Sequence, residues 1–389
     1  MISYFNSASQ PAALPAMTGQ PGAAQSVFRA VLTTGAAVAN VQSLVVSGGV
    51  ATATYAADPG YIVDNLLSID GATPTDINGL ARVLSRPTPN SATFSVSAPD
   101  GAASGSITSR IASAGWDETF TSGTSSVFRP SAVESLGMSF RIDDAGTTTA
   151  RICGYEDMSS VDTGSGPIPT PAQVAGGLWM LKSYTADSFA RPWIAAADDR
   201  GVLIMTAWSS RYVVQYIGDI DAQWSADTWA WLITGCATNQ SGAPDAVVDA
   251  CCGYSQRSGR AGAYVARGVS APSQGAVAAI RVGAGHNGSA AGAWSGGAGY
   301  GHDQIPNPAG FGLLLTPVEI WAGGLRGRIP GLYHVRGLVG LDAPVVIDGS
   351  HELLGRRLLL VPVGQAWGPT VAKGVVAVDL TGPWPRDGA

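Results

Sequence analysis

Five acidic residues, Asp143, Asp144, Glu156, Asp157 and Asp162, fall within one short stretch. Carboxylates at that density are the hard oxygen ligands that Ca²⁺ takes. Their spacing matches no calcium loop of the D-x-[DN]-x-[DN]-G kind, and solvated turns explain them more simply. Asp162-Thr163-Gly164 has the wording of one aspartic-protease half-site, but that chemistry needs a second equivalent aspartate and the chain has no other Asp-Thr-Gly or Asp-Ser-Gly. A loop whose side chains bond local backbone is the expectation there. Gly283-Ala284-Gly285-His286-Asn287-Gly288 fits G-x-G-x-x-G after the strand-like AAIRV. The SAAGAWSGGAG that follows breaks the helix a pyrophosphate would require, so a loop is expected. His286, His302, His334 and His351 stand too far apart for a local metal site. No G-x-S-x-G elbow marks a nucleophilic serine. Cys153, Cys236, Cys251 and Cys252 show no CxxC pair and read as buried thiols, with Cys251 and Cys252 on opposite faces if they lie in a strand. The residues therefore point to no catalytic, cofactor-binding or metal-ligating set, and the expectation is a protein that is not an enzyme and carries no cofactor.

Aromatic residues offer a different chemistry. Trp179, Trp193, Trp208, Trp224, Trp229 and Trp231 cluster in one third of the chain. An exposed platform of this kind binds a sugar ring or another subunit. Trp179, Trp193, Trp229 and Trp231 are the candidate interaction surface, with core packing of a β-rich domain as the plainer reading. Trp229 and Trp231, two apart, fall on one face if TWAWLITGCA is a strand.

The elements that must carry these residues read as mainly β. Residues 1–21, rich in Ser, Ala, Pro and Gln, suggest an arm that clips onto a neighbour. Val27, Ala30 and Val31 at i, i+3 and i+4 predict one short helix ended by Gly35. From Leu44 to Arg110, alternating runs (Leu44, Val46; Val50, Thr52, Thr54; Phe94, Val96) between Gly-Gly, Pro-Gly, Asn-Gly and Asp-Gly turns predict a barrel or sandwich of about five strands. MSFRI and TARICGY predict a hairpin across Asp143-Asp144-Ala145-Gly146, with Phe140 and Ile142 on one face. Apolar runs from GGLWMLKS to YVVQYIGDI predict further strands, with a turn at Asp198-Asp199-Arg200-Gly201. Residues 255–309, dominated by Gly, Ala and Ser, read as long loops. The expected organisation is an arm and short helix over 1–42, a small β-barrel or sandwich module over 43–113, a larger tryptophan-bearing β-sandwich-like domain over 114–325, and a C-terminal β segment over 326–389 that belongs with it or stands beside it.

Composition narrows the partners. Charged residues make up 13% of the 389, against roughly 25% in an average soluble protein. A surface this poor in charge suits burial against other subunits. Lys182 and Lys373 are the only lysines, the arginines are scattered, and the net charge is −6, so the basic footprint of nucleic-acid binding is missing. MISYFNSASQPAALPAM has neither the basic start nor the apolar run of a secretory signal. No run of about 18 apolar residues appears, so the expectation is synthesis in the cytoplasm with no membrane span.

SGGVATAT, IDGATPTDINGLARVLS, DGAASGSIT, AGWDETFTSGTSSVFRP, FRIDDAGTTTARICGYEDMSSVDTGSGPIPTPAQVAGG, Phe189-Ala190-Arg191-Pro192-Trp193, LRGRIPGLYHV and GRRLLLVPV occur in that order. In these segments the chain resembles an uncharacterised family of virion structural proteins of tailed bacteriophages and prophages. One departure is ADPGYIVDNLLSI, where similar modules show a His-Gly and a Gly-Asp turn. The resemblance implies a virion component, made in the cytoplasm of a host bacterium, whose partners are other virion proteins and copies of itself, with a host glycan or receptor as a further partner. A tail, baseplate or fibre position comes first and a capsid-decoration or neck position second; a carbohydrate-binding or glycan-hydrolysing module is the alternative of another class.

Overall fold

The computed structural model describes residues 1–208, 211–237, 261–270, 272–282, 314–336, 341–364 and 373–386. The architecture is mainly β: a closed barrel, a large sheet and one short helix. Residues 1–21 do not form a free arm. They begin with β1 (Ser3–Asn6), whose four residues are all buried, and a further bridge joins Met17 to Arg191. A strand of four residues buried on both faces leaves no visible period in the sequence.

The helix α1 (Ala23–Arg29) buries Ala24, Val27 and Phe28 and continues as a wider turn over Ala30–Thr34. Gly35 ends it at φ 70°, where a Cβ would come within 2.2 Å of the Ile111 carbonyl. The barrel follows: β2 (Ala36–Ser47), β3 (Val50–Tyr55), β4 (Leu66–Asp70), β5 (Gly79–Ser85), β6 (Ser91–Ser95) and β8 (Thr108–Ile111), with β7 (Gly101–Ala102) as a short addition. Antiparallel pairing runs β3-β6-β5-β4-β8-β2 and closes from β2 back to β3. The alternation that marks the module places Leu44, Val46, Ala51, Ala53, Val83 and Phe94 inside. In the departing segment ADPGYIVDNLLSI, Tyr61 is buried against Tyr55, edge to face at 5.6 Å. Both hydroxyls meet Ser109 Oγ, at 2.9 and 3.0 Å.

The body is built from β9 (Trp116–Ser122), β10 (Ser125–Pro130), β11 (Ser139–Asp143), β12 (Thr149–Met158), β13 (Gly164–Ile168) and β14 (Leu178–Leu181). Then come β15 (Trp193–Ala197), β16 (Gly201–Trp208), β17 (Arg211–Asp219), β18 (Asp221–Ala222) and β19 (Trp231–Cys236). The β11–β12 hairpin and the turn at Asp198–Gly201 form as their sequences predict. Residues 255–309 are not loops throughout: among the described residues they hold β20 (Ala261–Val265), β21 (Val277–Ala278) and β22 (Ile280–Val282). At Gly262 of β20 a Cβ would come within 2.5 Å of the Leu178 side chain, so this strand needs the small residue. The chain continues through β23 (Leu314–Trp321), β24 (Leu325–Arg336), β25 (Val345–Asp348), β26 (Arg357–Gly364) and β27 (Lys373–Asp379).

Strands β1, β15, β16, β17 and β19 pair side by side as the middle of the body. Side chains from one of their faces, including Trp193, Ala195, Val202, Ile204, Ile217 and Trp231, join the core of α1 and β10–β12. The other face, including Ile194, Leu203, Met205, Val214 and Leu232, joins the core of β23, β24, β26 and β27. Burial on both faces explains why these strands read as unbroken apolar runs rather than alternating ones. Ile2 sits in that second core with Leu380 and Trp384, and a Cβ at Gly382 would lie 2.8 Å from it.

A polar seam holds the barrel to the body. Asn65 donates to the Tyr4 carbonyl at 2.8 Å, and Gln10 donates to Asn65 Oδ1 at 2.9 Å. Arg357 of β26 grips Asp64 with two nitrogens, at 3.0 and 2.8 Å. That pairing holds the guanidinium's pKa above its usual range.

Candidate interaction surface

The structure divides the four candidate tryptophans. Trp193 is fully buried, donates from Nε1 to the Pro15 carbonyl at 2.9 Å and packs on Phe5. Trp231 is also fully buried; its ring lies over Gly154, where a Cβ would approach to 2.2 Å. These two are core residues and are removed from the surface of this chain. Trp229 does not share a strand face with Trp231, because β19 begins at Trp231 and Trp229 stands in the turn before it.

Trp179 and Trp229 are half-buried, and each carries a guanidinium on its ring. Arg151 lies 3.7 Å from the Trp179 ring and Arg267 lies 3.8 Å from that of Trp229. Arg267 also binds Glu156 with two nitrogens. Arg326, fully buried, reaches Asp227 at 2.8 and 3.0 Å and the Trp229 carbonyl at 3.2 Å. The Trp229 turn is thereby fixed from both sides.

Two other tryptophans reach solvent. Trp224 is 48% exposed and Trp321 41% exposed. Register sets both near the level of Leu325, on either side of β24 (Leu325–Arg336). Ala222 of β18 stands opposite Gly327, and Gln223 N–H bonds the Arg326 carbonyl, which carries Trp224 to the level of Leu325. Trp321 of β23 is opposite that same Leu325 on the other side of β24. Glu319 accepts from Trp321 Nε1 at 3.3 Å. Sequence order gave no sign of this pair, since 97 positions of chain divide two residues that only a shared neighbour strand unites.

A second exposed feature is the loop between β14 and β15. Buried Arg191 donates to Ser183 Oγ at 3.0 Å, to Thr185 Oγ1 at 2.6 Å and to both Asp187 oxygens, and it stacks on Tyr184. The anchored loop presents Phe189, 71% exposed, and half-exposed Tyr184. This aromatic side chain is held outward by an ordered loop.

The acidic stretch separates into arginine and lysine pairs. Arg141 lies 2.9 Å from Asp162 and 3.7 Å from Asp143, Arg129 lies 3.9 Å from Asp157, Glu156 holds Arg267, and Asp144 holds Lys182. Among the described residues no group of three or more His, Cys, Asp and Glu side chains could hold a metal ion. Asp162-Thr163-Gly164 lies at the turn into β13, with Ser159 N–H bonded to the Thr163 carbonyl. Cys153 and Cys236 are buried and form no disulfide. His334 is buried in β24 and His351 is exposed. Gly283–Gly288, His286, His302, Cys251 and Cys252 lie outside the described residues. A cleft of about 240 Å³ lies between residues 9–13 and 58–60, beside Arg86. Among the described residues, no helix is long and apolar enough to cross a membrane.

No family model and no curated protein matches the chain. Among solved structures, a phage phi92 endosialidase is similar at 8% identity and a TM-score of 0.15, over 89% of this chain and 52% of that one. The match thus spans about half the length of that structure.

Proposed function

We propose that the chain is a structural component of a tailed bacteriophage virion that acts by subunit assembly, associated with the tail, baseplate or fibre. It is read as a non-catalytic subunit. The observation that carries the reading is the surface. Large apolar side chains stand out on a chain poor in charge: Val133 at 95%, Leu354 at 82% and Phe189 at 71% exposure, besides Trp224 and Trp321. Such side chains are covered when copies or other virion proteins pack on them. The resemblance in sequence to virion structural proteins gives the same direction.

The test is cryo-electron microscopy of the particle that carries this chain. Density at the tail tip, baseplate or fibre is the expected result. Density on the capsid or neck would move the reading to a decoration or joining protein, and particles without the chain would end it. A second reading, a carbohydrate-binding module, is favoured by the Trp224–Trp321 pair with Glu319 beside it. Its check is a glycan array on the wild type and on Trp224→Ala: loss of a saccharide signal in the variant supports it, and no wild-type signal dismisses it.

A further inference from the structure

Lys182 is one of two lysines in the chain, and its side chain is fully buried. A buried ammonium is costly unless paired. Lys182 Nζ is hydrogen-bonded to Asp144 Oδ1 and, at 2.7 Å, to the Gln20 carbonyl. The Asp144 side chain is equally closed to solvent. Its second oxygen, Oδ2, accepts from the backbone N–H groups of Ala24 at 2.7 Å and Gln25 at 3.1 Å. An amine therefore stands against a carboxyl group whose other oxygen is held by two fixed donors, away from water. Nucleophile, carbonyl carbon and oxyanion donors are the parts of an acyl transfer.

We propose that Lys182 and Asp144 condense to an intramolecular isopeptide bond. The ammonium first passes a proton to Oδ1, leaving a neutral amine and a neutral carboxylic acid. The Nζ lone pair then bonds to Cγ while the carbonyl pair moves onto Oδ2, where the Ala24 and Gln25 N–H groups hold the negative charge. A proton goes from nitrogen to Oδ1, the Cγ–Oδ1 bond breaks as the Oδ2 pair returns, and one water leaves. One amine and one carboxyl give one amide and one water, with no oxidant or further reactant.

Three physical features favour the step. The reacting groups are held in contact by the fold, so the encounter is intramolecular. Burial pushes the Asp144 carboxyl up and the Lys182 amine down, each toward the uncharged form that reacts. The product replaces two desolvated charges by one neutral amide, whose N–H has the Gln20 carbonyl as acceptor. The bond joins residues 38 apart and ties the β11–β12 turn to the residue following β14, a constraint of the kind a disulfide imposes.

Intact-mass spectrometry of the purified full chain tests this. The wild type is expected to be lighter than its sequence mass by one water, and proteolysis should release a branched peptide joining Lys182 to Asp144. Lys182→Arg keeps the cation and should return to full mass. Asp144→Asn should form the same amide by losing ammonia instead. A wild-type chain at full sequence mass overturns the proposal whether or not the variants fold, as does a water loss that maps to other residues.

Discussion

Asp227 accepts two hydrogen bonds from Arg326, whose side chain has no contact with solvent. Removing the carboxylate strands the guanidinium in the core. Asp227→Ala is expected to cost about 3–5 kcal/mol, read as a lower urea midpoint, with Asp227→Asn losing less. Glu118 answers to pH instead. Two hydrogen bonds from Arg29 hold its carboxyl below the usual carboxylate range. Its contribution is therefore full above the unfolded value near about 4.3, and it is lost as pH falls through the lower folded value. The stability gap between wild type and Glu118→Gln should shrink in urea titrations run at progressively lower pH; a gap constant with pH would contradict this. The sequence displayed the density of acids from Asp143 to Asp162 but not their use. Glu156 and Arg267 are 111 residues apart, and charge alone does not say which distant arginine a carboxylate will meet.

Elements were legible where one face is wet. The barrel strands alternate because their outer side meets water, and α1 shows its period for the same reason. Strands β15 and β19 are buried along their whole length, so no alternation told strand from helix or marked where β19 starts. That is why Trp229 and Trp231 seemed to share a face. The contact of Trp231 with Gly154 gives an element-scale prediction: Gly154→Ala forces β12 and β19 apart and should destabilise by about 1–3 kcal/mol, visible in thermal unfolding. Strand β1 gives another. Phe5→Ala empties part of a closed core and is expected to cost about 3–5 kcal/mol, and deleting residues 1–6 should leave the isolated chain unable to fold, seen as lost near-ultraviolet dichroism. An unchanged spectrum would mean that this segment is dispensable to the body.

For the whole molecule, sparse charge and protruding apolar side chains predict association. Sedimentation velocity on the isolated chain should show species larger than one copy, and a stable monomer at micromolar concentration would count against the assembly reading. Composition made that expectation available; the positions of Trp224, Trp321 and Phe189 came only from the fold. The placement of Ile2 beside Leu380, Gly382 and Trp384 has a consequence in time. The barrel strands pair only among themselves and can close soon after synthesis. Ile2 must instead wait for Leu380 and Trp384, so the second core closes at this point only after the chain beyond residue 380 has been delivered.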